Sequence, residues 1–312
     1  MAITLTQLRT FLAVLRTGSV SAAAEELVVT QPSVSAAVSA LSRELGVPLT
    51  ERIGRSVRAS AAGRTFAPYA ADVIGLLEQG GRASREAAEV ATRELRIAAV
   101  TTAGEHIVPP LMEAFSTRHP DVTLSVEVGN RQRVFDLVRT HESDLAVGGR
   151  PPVEGVLGEP IFDNPIVIIC APGDPLARGT PSMEELGERP WLLRETGSGT
   201  RAMTEEFLAA NELEPRVLTL GSNGAIKQAA RAGLGISLQS RLTTQLELEL
   251  GLLAAVDVDF ALPQRQWYLL QPKHGPVRPT VQQFLDFVRS PDGREAVERA
   301  GRPETSASSV SG

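Results

Sequence analysis

Between Ser19 and Gly46 the chain reads SVSAAAEELVVTQPSVSAAVSALSRELG, and two helix starts set this close together leave few folds open. Ser19 or Val20 opens a first helix in which Ala22, Ala23 and Ala24 let another backbone approach and Leu27 closes the apolar stripe. Val28 and Val29 then fill a turn. Thr30 is a good N-cap for a second helix, and Pro32 falls in its first turn, where a missing N–H costs nothing. In that helix Val34, Val38, Leu41 and Leu45 recur at helical spacing and are expected inside. Gln31, Pro32, Ser33, Ser35, Ala36 and Ser39 are left on the outer face. This face is small, polar and nearly uncharged, which suits the major groove of double-stranded DNA. An amide there addresses adenine N6 and N7, and proline or alanine carbons meet thymine methyls.

The distribution of charge bears on that target. The whole chain has a formal net charge of -6, yet up to Arg93 it holds ten arginines against eight acidic residues. Arg9, Arg16, Arg43, Arg52, Arg55 and Arg58 supply this N-terminal positive charge, with Arg52, Arg55 and Arg58 closest together. Such guanidiniums hold phosphates and fix register while bases are read elsewhere. The other reading, solvated surface arginine, applies to some of the six. At 312 residues, 42% apolar and 22% charged, the chain has material for one small domain and a larger one with its own core.

The segments LTQLRTFLAVLRTGSVSAAAEEL, TQPSVS, ELGVPLTER and RSVRASAAGR, in this order and spacing, resemble the N-terminal winged helix-turn-helix of LysR-type transcriptional regulators, and the resemblance covers the whole chain. Many members carry arginine where this chain has Ala36, so a bidentate guanine contact is absent and specificity rests more on Gln31, Pro32, Ser35 and DNA shape. The expected architecture is α/β, with a winged helix-turn-helix over 1–62, a linker and dimerisation helix over 63–92 and an effector-binding domain over 93–302. Its first lobe takes 93–161 and 268–302, its second 162–267, and the Ser-rich 303–312 is read as a disordered tail.

In the linker, Phe66, Tyr69, Val73, Leu76 and Leu77 recur at helical intervals. Nothing in a small N-terminal domain is expected to bury that stripe, so a second copy of the chain is its partner, giving a dimer and, through the effector domains, a tetramer. Pro68 costs roughly 3 kcal/mol in a helix interior, and Gly75, Gly80 and Gly81 roughly 1 kcal/mol each. A kink or an early end is therefore expected. The resemblance favours continuity at Pro68 and leaves the glycine pair as a hinge.

From Leu95 the pattern alternates between strands (LRIAAV, TLSVEVG, DLAVGG, PIVIICAP, WLLRE, RVLTLGS, ISLQS, QWYLLQPK) and helices (HIVPPLMEAFSTRHP, RQRVFDLVRTHES, MEELGE, RAMTEEFLAANEL, AIKQAARAGLG, TVQQFLDFVRS). This rhythm resembles the two-lobed periplasmic-binding-protein-like domain of LysR-type regulators, which holds a small ligand between lobes. Free N–H groups where strands meet helix N-termini favour anions. Candidate effector contacts at such junctions are Thr101 and Thr102, the turn Thr196, Gly197, Ser198, Gly199, Thr200 and Arg201, and Ser222 with Asn223. Asn130 and Arg131 are a fourth pair. Helix capping is the competing reading for Thr101 and Thr102, and a surface turn for TGSGTR.

Several classes are set aside. Cys170 has no intrachain disulfide partner and is read as a buried strand residue, while His106, His119, His141 and His274 are too scattered for a metal cluster or a relay. Thr196 to Thr200 is neither a GxSxG elbow nor a phosphate-binding loop, so no catalysis is expected. No apolar run reaches membrane length, and a cytoplasmic protein without a membrane partner is the expectation. A transporter's solute-binding protein would share the two lobes but not the helix-turn-helix.

The phrases DNPIVIICAPGDPLA, WLLRETGSGTR, LGSNGAIKQAARAGLGISLQS and RQWYLLQP resemble the subgroup of LysR-type regulators that controls carbon-fixation operons, the CbbR type. That resemblance implies promoter DNA and RNA polymerase as partners and no cofactor. Its effector is a small anion: a phosphorylated sugar, a phosphoglycerate-like acid or NADPH. Gly224 departs from the acidic residue often found before AIKQA, which leaves a regulator of sulfur or other central metabolism as the alternative.

Overall fold

In the computed structural model, which describes residues 3–54, 56–88, 93–151 and 155–300, hydroxyl side chains start each of the first three helices. Thr4 caps α1 (Leu5–Thr17) in a capping box with Gln7, Ser19 caps α2 (Val20–Glu26), and Thr30 caps α3 (Gln31–Leu45). Each cap satisfies an N–H that the helix itself leaves unpaired. Gly18 and Gly46 end α1 and α3 at φ 66° and 72°, the left-handed conformation that favours glycine. Val28 sits in the turn at φ 55°, unusual for a β-branched residue, and is 90% exposed.

As the spacing predicts, Val34, Val38 and Leu41 are buried, while Leu45 at the helix end is half-buried. They close two small clusters, one with Ala13, Val14, Ala23 and Ala24, the other with Leu8, Phe11, Leu49 and Ala70. A hairpin of β1 (Thr50–Ile53) and β2 (Ser56–Ala59), in the register Thr50 to Ala59, forms the expected wing; Arg55 lies outside the described residues.

Ser60 then caps α4 (Ala61–Ala87), which runs uninterrupted through Pro68, Gly80 and Gly81, so the expected early end does not occur. Burial of Ala70 and Ala71 and the packing of Phe66 offset the proline. Phe66 corrects a second expectation: its ring lies 6.0 Å from that of Phe11, so the small domain does cover part of the stripe. Tyr69, Val73 and Leu77 stay exposed.

The chain divides into two compact units, the first comprising residues 1–92 with 137–143 and 272–276. Within it, Gly75 gives α4 room: a methyl there would come within 2.6 Å of the His141 side chain. His141 is buried, with Nε2 3.4 Å from Asp72 Oδ1.

The second unit follows the α/β rhythm. Its first lobe contains β3 (Arg93–Val100), α5 (Thr101–His106), α6 (Val108–Arg118), β4 (Val122–Gly129), α7 (Arg131–Arg139, whose last residues belong to the first unit), β5 (Leu145–Gly148) and β6 (Val156–Asp163). The second lobe contains β7 (Ile166–Cys170), α8 (Met183–Gly187), β8 (Trp191–Leu193), α9 (Gly199–Ala210), β9 (Val217–Thr219), α10 (Asn223–Arg231), β10 (Ser237–Ser240), α11 (Arg241–Glu249) and β11 (Ala254–Val256). The chain then returns through β12 (Gln266–Pro272), α12 (Pro279–Arg289) and α13 (Pro291–Ala300).

One sheet has the order β4-β3-β5-β12-β6, with β3 parallel to β4 and β5 and antiparallel pairing of β12 with β5. Its core gathers Leu95, Ile97, Leu111, Phe115, Phe284 and Phe287, the Phe115 and Phe284 rings meeting edge-on at 5.1 Å. The other lobe pairs β7 between β10 and β11, and a bridge from Trp191 to Ile236 brings in β8 and β9. Trp191 is fully buried and its indole N–H donates to the Leu186 carbonyl at 2.9 Å. Cys170 is buried in β7, where burial pushes its thiol up to about 11. No helix among the described residues is long and apolar enough to cross a membrane.

The buried imidazole gives a pH dependence. Burial holds His141 below its ordinary value of 6.5, outweighing the pull of Asp72, with Arg82 and His274 adding to the depression. Below about pH 6.5 the unfolded chain takes up a proton that folded His141 refuses, so stability is present above that pH and lost as pH falls. His106, also depressed by burial, acts in the same direction. Calorimetry should show Tm falling between pH 7 and pH 5, and a shallower fall in His141→Asn, which accepts the φ of 58° at this position. An unchanged slope in that variant would contradict a buried neutral imidazole.

Candidate functional site

Two surfaces carry the residues singled out by their chemistry. On α3, Gln31, Pro32, Ser33, Ser35, Ala36 and Ser39 are all exposed on one face, opposite buried Val34, Val38 and Leu41. Gln31 Nε2 donates to Ser21 Oγ at 3.0 Å, which fixes the amide against α2, and Ser33 Oγ lies 2.8 Å from Thr30 Oγ1. Arg43 is exposed in the last turn of α3, and Arg52 and Arg58 are exposed on the hairpin. Among the described residues these three arginines make no ion pair.

The second surface is a narrow pocket between the lobes that opens to solvent. Thr101 and Thr102 enter it from the start of α5, Asn130 and Arg131 from the start of α7, and Ser198, Gly199 and Thr200 from the start of α9. The junctions at α7 and α9 are built by local caps, whereas α5 starts at Val100 with no side-chain cap, so Thr101 and Thr102 do not serve as capping residues. Ser198 Oγ accepts the Thr200 N–H at 3.3 Å, and Asn130 Oδ1 accepts the Arg133 N–H at 2.9 Å. Gly197 turns at φ 89°, where a methyl would meet Asn130 Nδ2 at 3.4 Å.

A hydrogen-bonded chain crosses from lobe to lobe beside the pocket. Asn223 Nδ2 donates to Thr102 Oγ1 at 3.2 Å, and Asn223 Oδ1 accepts from Arg194 Nη1. Arg194 also donates from Nε to Glu195 at 2.7 Å. Asn223, Thr102 and Arg194 are all buried. Thr196 and Gly197 are exposed in the turn, off the pocket lining. Ser222 is exposed and caps α10, accepting the Ala225 N–H at 3.1 Å. Arg201 is engaged elsewhere, donating to the Arg194 carbonyl at 3.0 Å, to Thr219 at 3.2 Å and to Glu205 at 2.7 Å.

The lining also includes Asn164, Arg194, Met203, Ser240, Arg265 and Trp267, which the motifs do not reveal. Asn164 and Arg265 lie where the chain passes between sheets, and only the fold brings those passages together. Arginine at the exit of an apolar run, as in WLLRE, is the one local signal. Three guanidiniums, several hydroxyls and backbone amides line the pocket, with no carboxylate among the described lining residues. Such a set of donors suits an anion rich in oxygen. The described residues contain no group of side chains that could hold a metal ion.

Comparison with known proteins finds matches over both parts of the chain. Residues 5–64 match the bacterial regulatory helix-turn-helix protein, lysR family, and residues 88–291 match the LysR substrate binding domain. The chain is 37% identical over 300 residues to the HTH-type transcriptional activator CmpR of Synechocystis sp., covering 95% of this chain and 98% of that protein. It is 37% identical over 298 residues to the RuBisCO operon transcriptional regulator of Allochromatium vinosum, covering 94% and 98%. Among solved structures, the regulatory domain of Synechocystis PCC6803 CcmR in complex with 2-PG superposes with a TM-score of 0.60 at 33% identity, covering 63% of this chain and 95% of that one.

The chain through Asn223 is testable by stability. Asn223→Leu removes the acceptor of Arg194 and the donor of Thr102 inside the protein, and should cost about 1–3 kcal/mol in urea unfolding. Asn223→Asp keeps the acceptor for Arg194 and should cost less. Equal losses in the two variants would argue that the Arg194 contact contributes nothing.

Proposed function

The chain belongs to the LysR family of DNA-binding transcriptional regulators, with relatives that govern carbon fixation, and on that premise we propose how its two surfaces divide the work. The outer face of α3 reads base edges through Gln31, Ser35 and the carbons of Pro32 and Ala36, with Ser33 and Ser39 beside them. Arg43, Arg52 and Arg58, with Arg55, hold phosphates. The interlobe pocket takes a small anionic metabolite, a phosphorylated acid or NADPH. The single observation that carries this reading is a lining with three arginines, of which, among the described residues, only Arg194 is ion-paired, to Glu195. The CcmR regulatory domain, 33% identical to this chain, is in complex with the small anion 2-PG.

Division at 1–62, 63–92 and 93–302 follows this reading, with 303–312, outside the described residues, as a tail. Exposed Tyr69, Val73 and Leu77 on α4 are the face through which two copies pair, and effector domains join dimers into tetramers. Effector binding favours one arrangement of the lobes and, through the paired α4 helices, one spacing of the recognition helices. DNA contacts and bending change in consequence, and with them the access of RNA polymerase. A coupling of this kind is worth about 1–3 kcal/mol and is reciprocal, so promoter DNA must shift effector affinity by the same factor.

Titration calorimetry with 2-PG and with NADPH, on the free protein and on its promoter complex, tests the pocket. Binding of one of them should be lost in Thr102→Val combined with Ser198→Ala, while effector-free DNA affinity is unchanged. Retained binding in the double variant would move the site elsewhere. On the DNA side, Gln31→Ala should lose about 1–3 kcal/mol on the operator and little on random DNA. Arg52→Ala should weaken both and flatten the salt dependence by about one unit. Equal losses of Gln31→Ala on both DNAs would remove its reading role.

A further inference from the structure

Two cations stand in the pocket without an ion pair, although Asp163 and Glu206 line the larger space that adjoins them. Arg265, two positions beyond Pro263 and just before β12, donates from Nη1 to the Gly199 carbonyl at 3.1 Å and lies 3.8 Å from Met203 Sδ. Arg131, at the start of α7, donates to the Arg150 carbonyl at 3.2 Å, with its guanidinium 4.8 Å from the centre of the Phe135 ring. Among the described residues neither arginine forms an ion pair. Burial pushes Arg265 below the usual guanidinium range, and the charge of Arg131 pushes it further in the same direction. Glu206 acts on it only as a weaker, opposing charge.

The backbone is shaped around this pair. A methyl on Gly199 would touch Arg131 Cδ and Arg265 Nη2, each at 3.5 Å, so the two side chains flank one residue, the first of α9. A methyl on Gly149 would lie 2.9 Å from Arg265 Nη2, so a side chain there would displace the tip of that guanidinium. Holding two like charges beside a helix N-terminus, partly shielded from water and with no ion pair to either, is unfavourable in the empty protein.

We infer that Arg131, Arg265 and the first turn of α9 form a clamp for a doubly charged oxyanion, the phosphoryl end of the effector, and that this clamp selects dianions over single carboxylates. The inference rests on the reading of the pocket as the effector site and specifies which group of the ligand goes where. One negative charge would leave one of the two guanidiniums uncompensated, whereas a dianion answers both and accepts from the free N–H groups of α9. Arginine suits this role better than lysine, since its planar fork meets two oxygens at once.

The test uses the full-length protein with inorganic phosphate, sulfate and acetate as probes at constant ionic strength, read by calorimetry and thermal shift. Phosphate and sulfate should bind the parent at least tenfold more tightly than acetate. Arg265→Met and Arg131→Met should each lose tenfold or more in phosphate affinity. Gly149→Ala, which keeps both arginines and only crowds the seat of Arg265, should lose affinity in the same direction. The ligand-free Tm of Arg265→Met should equal or exceed that of the parent, because a strained cation has been removed. A lowered ligand-free Tm with unchanged phosphate affinity would make Arg265 a structural residue and overturn the clamp. Phosphate binding equally well to the parent and to all three variants would overturn the clamp while leaving the pocket reading intact. Failure of both dianions to bind the parent would overturn the two together.

Discussion

The hydrogen bond from Asn223 to Thr102 is the tie on which the geometry of the ligand-binding unit depends. Thr102 belongs to the helix that follows the first strand of one sheet, and Asn223 opens a helix of the other lobe. Because Asn223 is held from behind by Arg194, the amide cannot turn without exposing a buried cation. The starts of α5 and α9 thereby face a common space, and the hydroxyl that caps α9 becomes part of the wall of a pocket. Capping does not use up the hydroxyl of Ser198. Ser198 spends one lone pair on the Thr200 N–H and still has an O–H to offer.

The N-terminal part of the chain was largely legible because its signals are local. Ser19 and Thr30 start helices wherever such residues precede a periodic apolar run, and the face opposite Val34, Val38 and Leu41 had to be outward once those three were inside. In the larger unit, the strand–helix alternation was readable for the same reason. Strand β6 escaped notice because Gly158 and Pro160 disguise it, an edge position in the sheet being where such residues are tolerated. Helix α11 and strand β11 lie in a stretch of mixed leucine, threonine and glutamate that has no sharp boundary before Gly251.

The pocket was legible only in part. Thr101, Thr102, Asn130, Ser198, Gly199 and Thr200 stand at strand exits, which sequence can mark. Asn164, Ser240 and Arg265 come together because the chain passes between its sheets twice, and their neighbours in sequence give no hint of it. Arg201 illustrates the reverse: its charge is visible in the motif, but Glu205 one helical turn away and Thr219 on β9 take up its donors. The linker shows tertiary packing overruling propensity, since α4 continues past Pro68 where its small residues meet the N-terminal core.

Cys170 has a practical bearing on how motion in this protein can be watched. It is the only cysteine in the chain, it is buried in β7, and its thiol is pushed up to about 11. At neutral pH about one molecule in ten thousand then carries the reactive thiolate, far less than an exposed cysteine near 8.5 provides. A cysteine introduced on the surface, at Ser35 on the recognition helix or Tyr69 on the linker, will outcompete it for a maleimide dye. The native sequence is thus already a background for site-specific spectroscopic labels, and motion becomes measurable without first altering its interior.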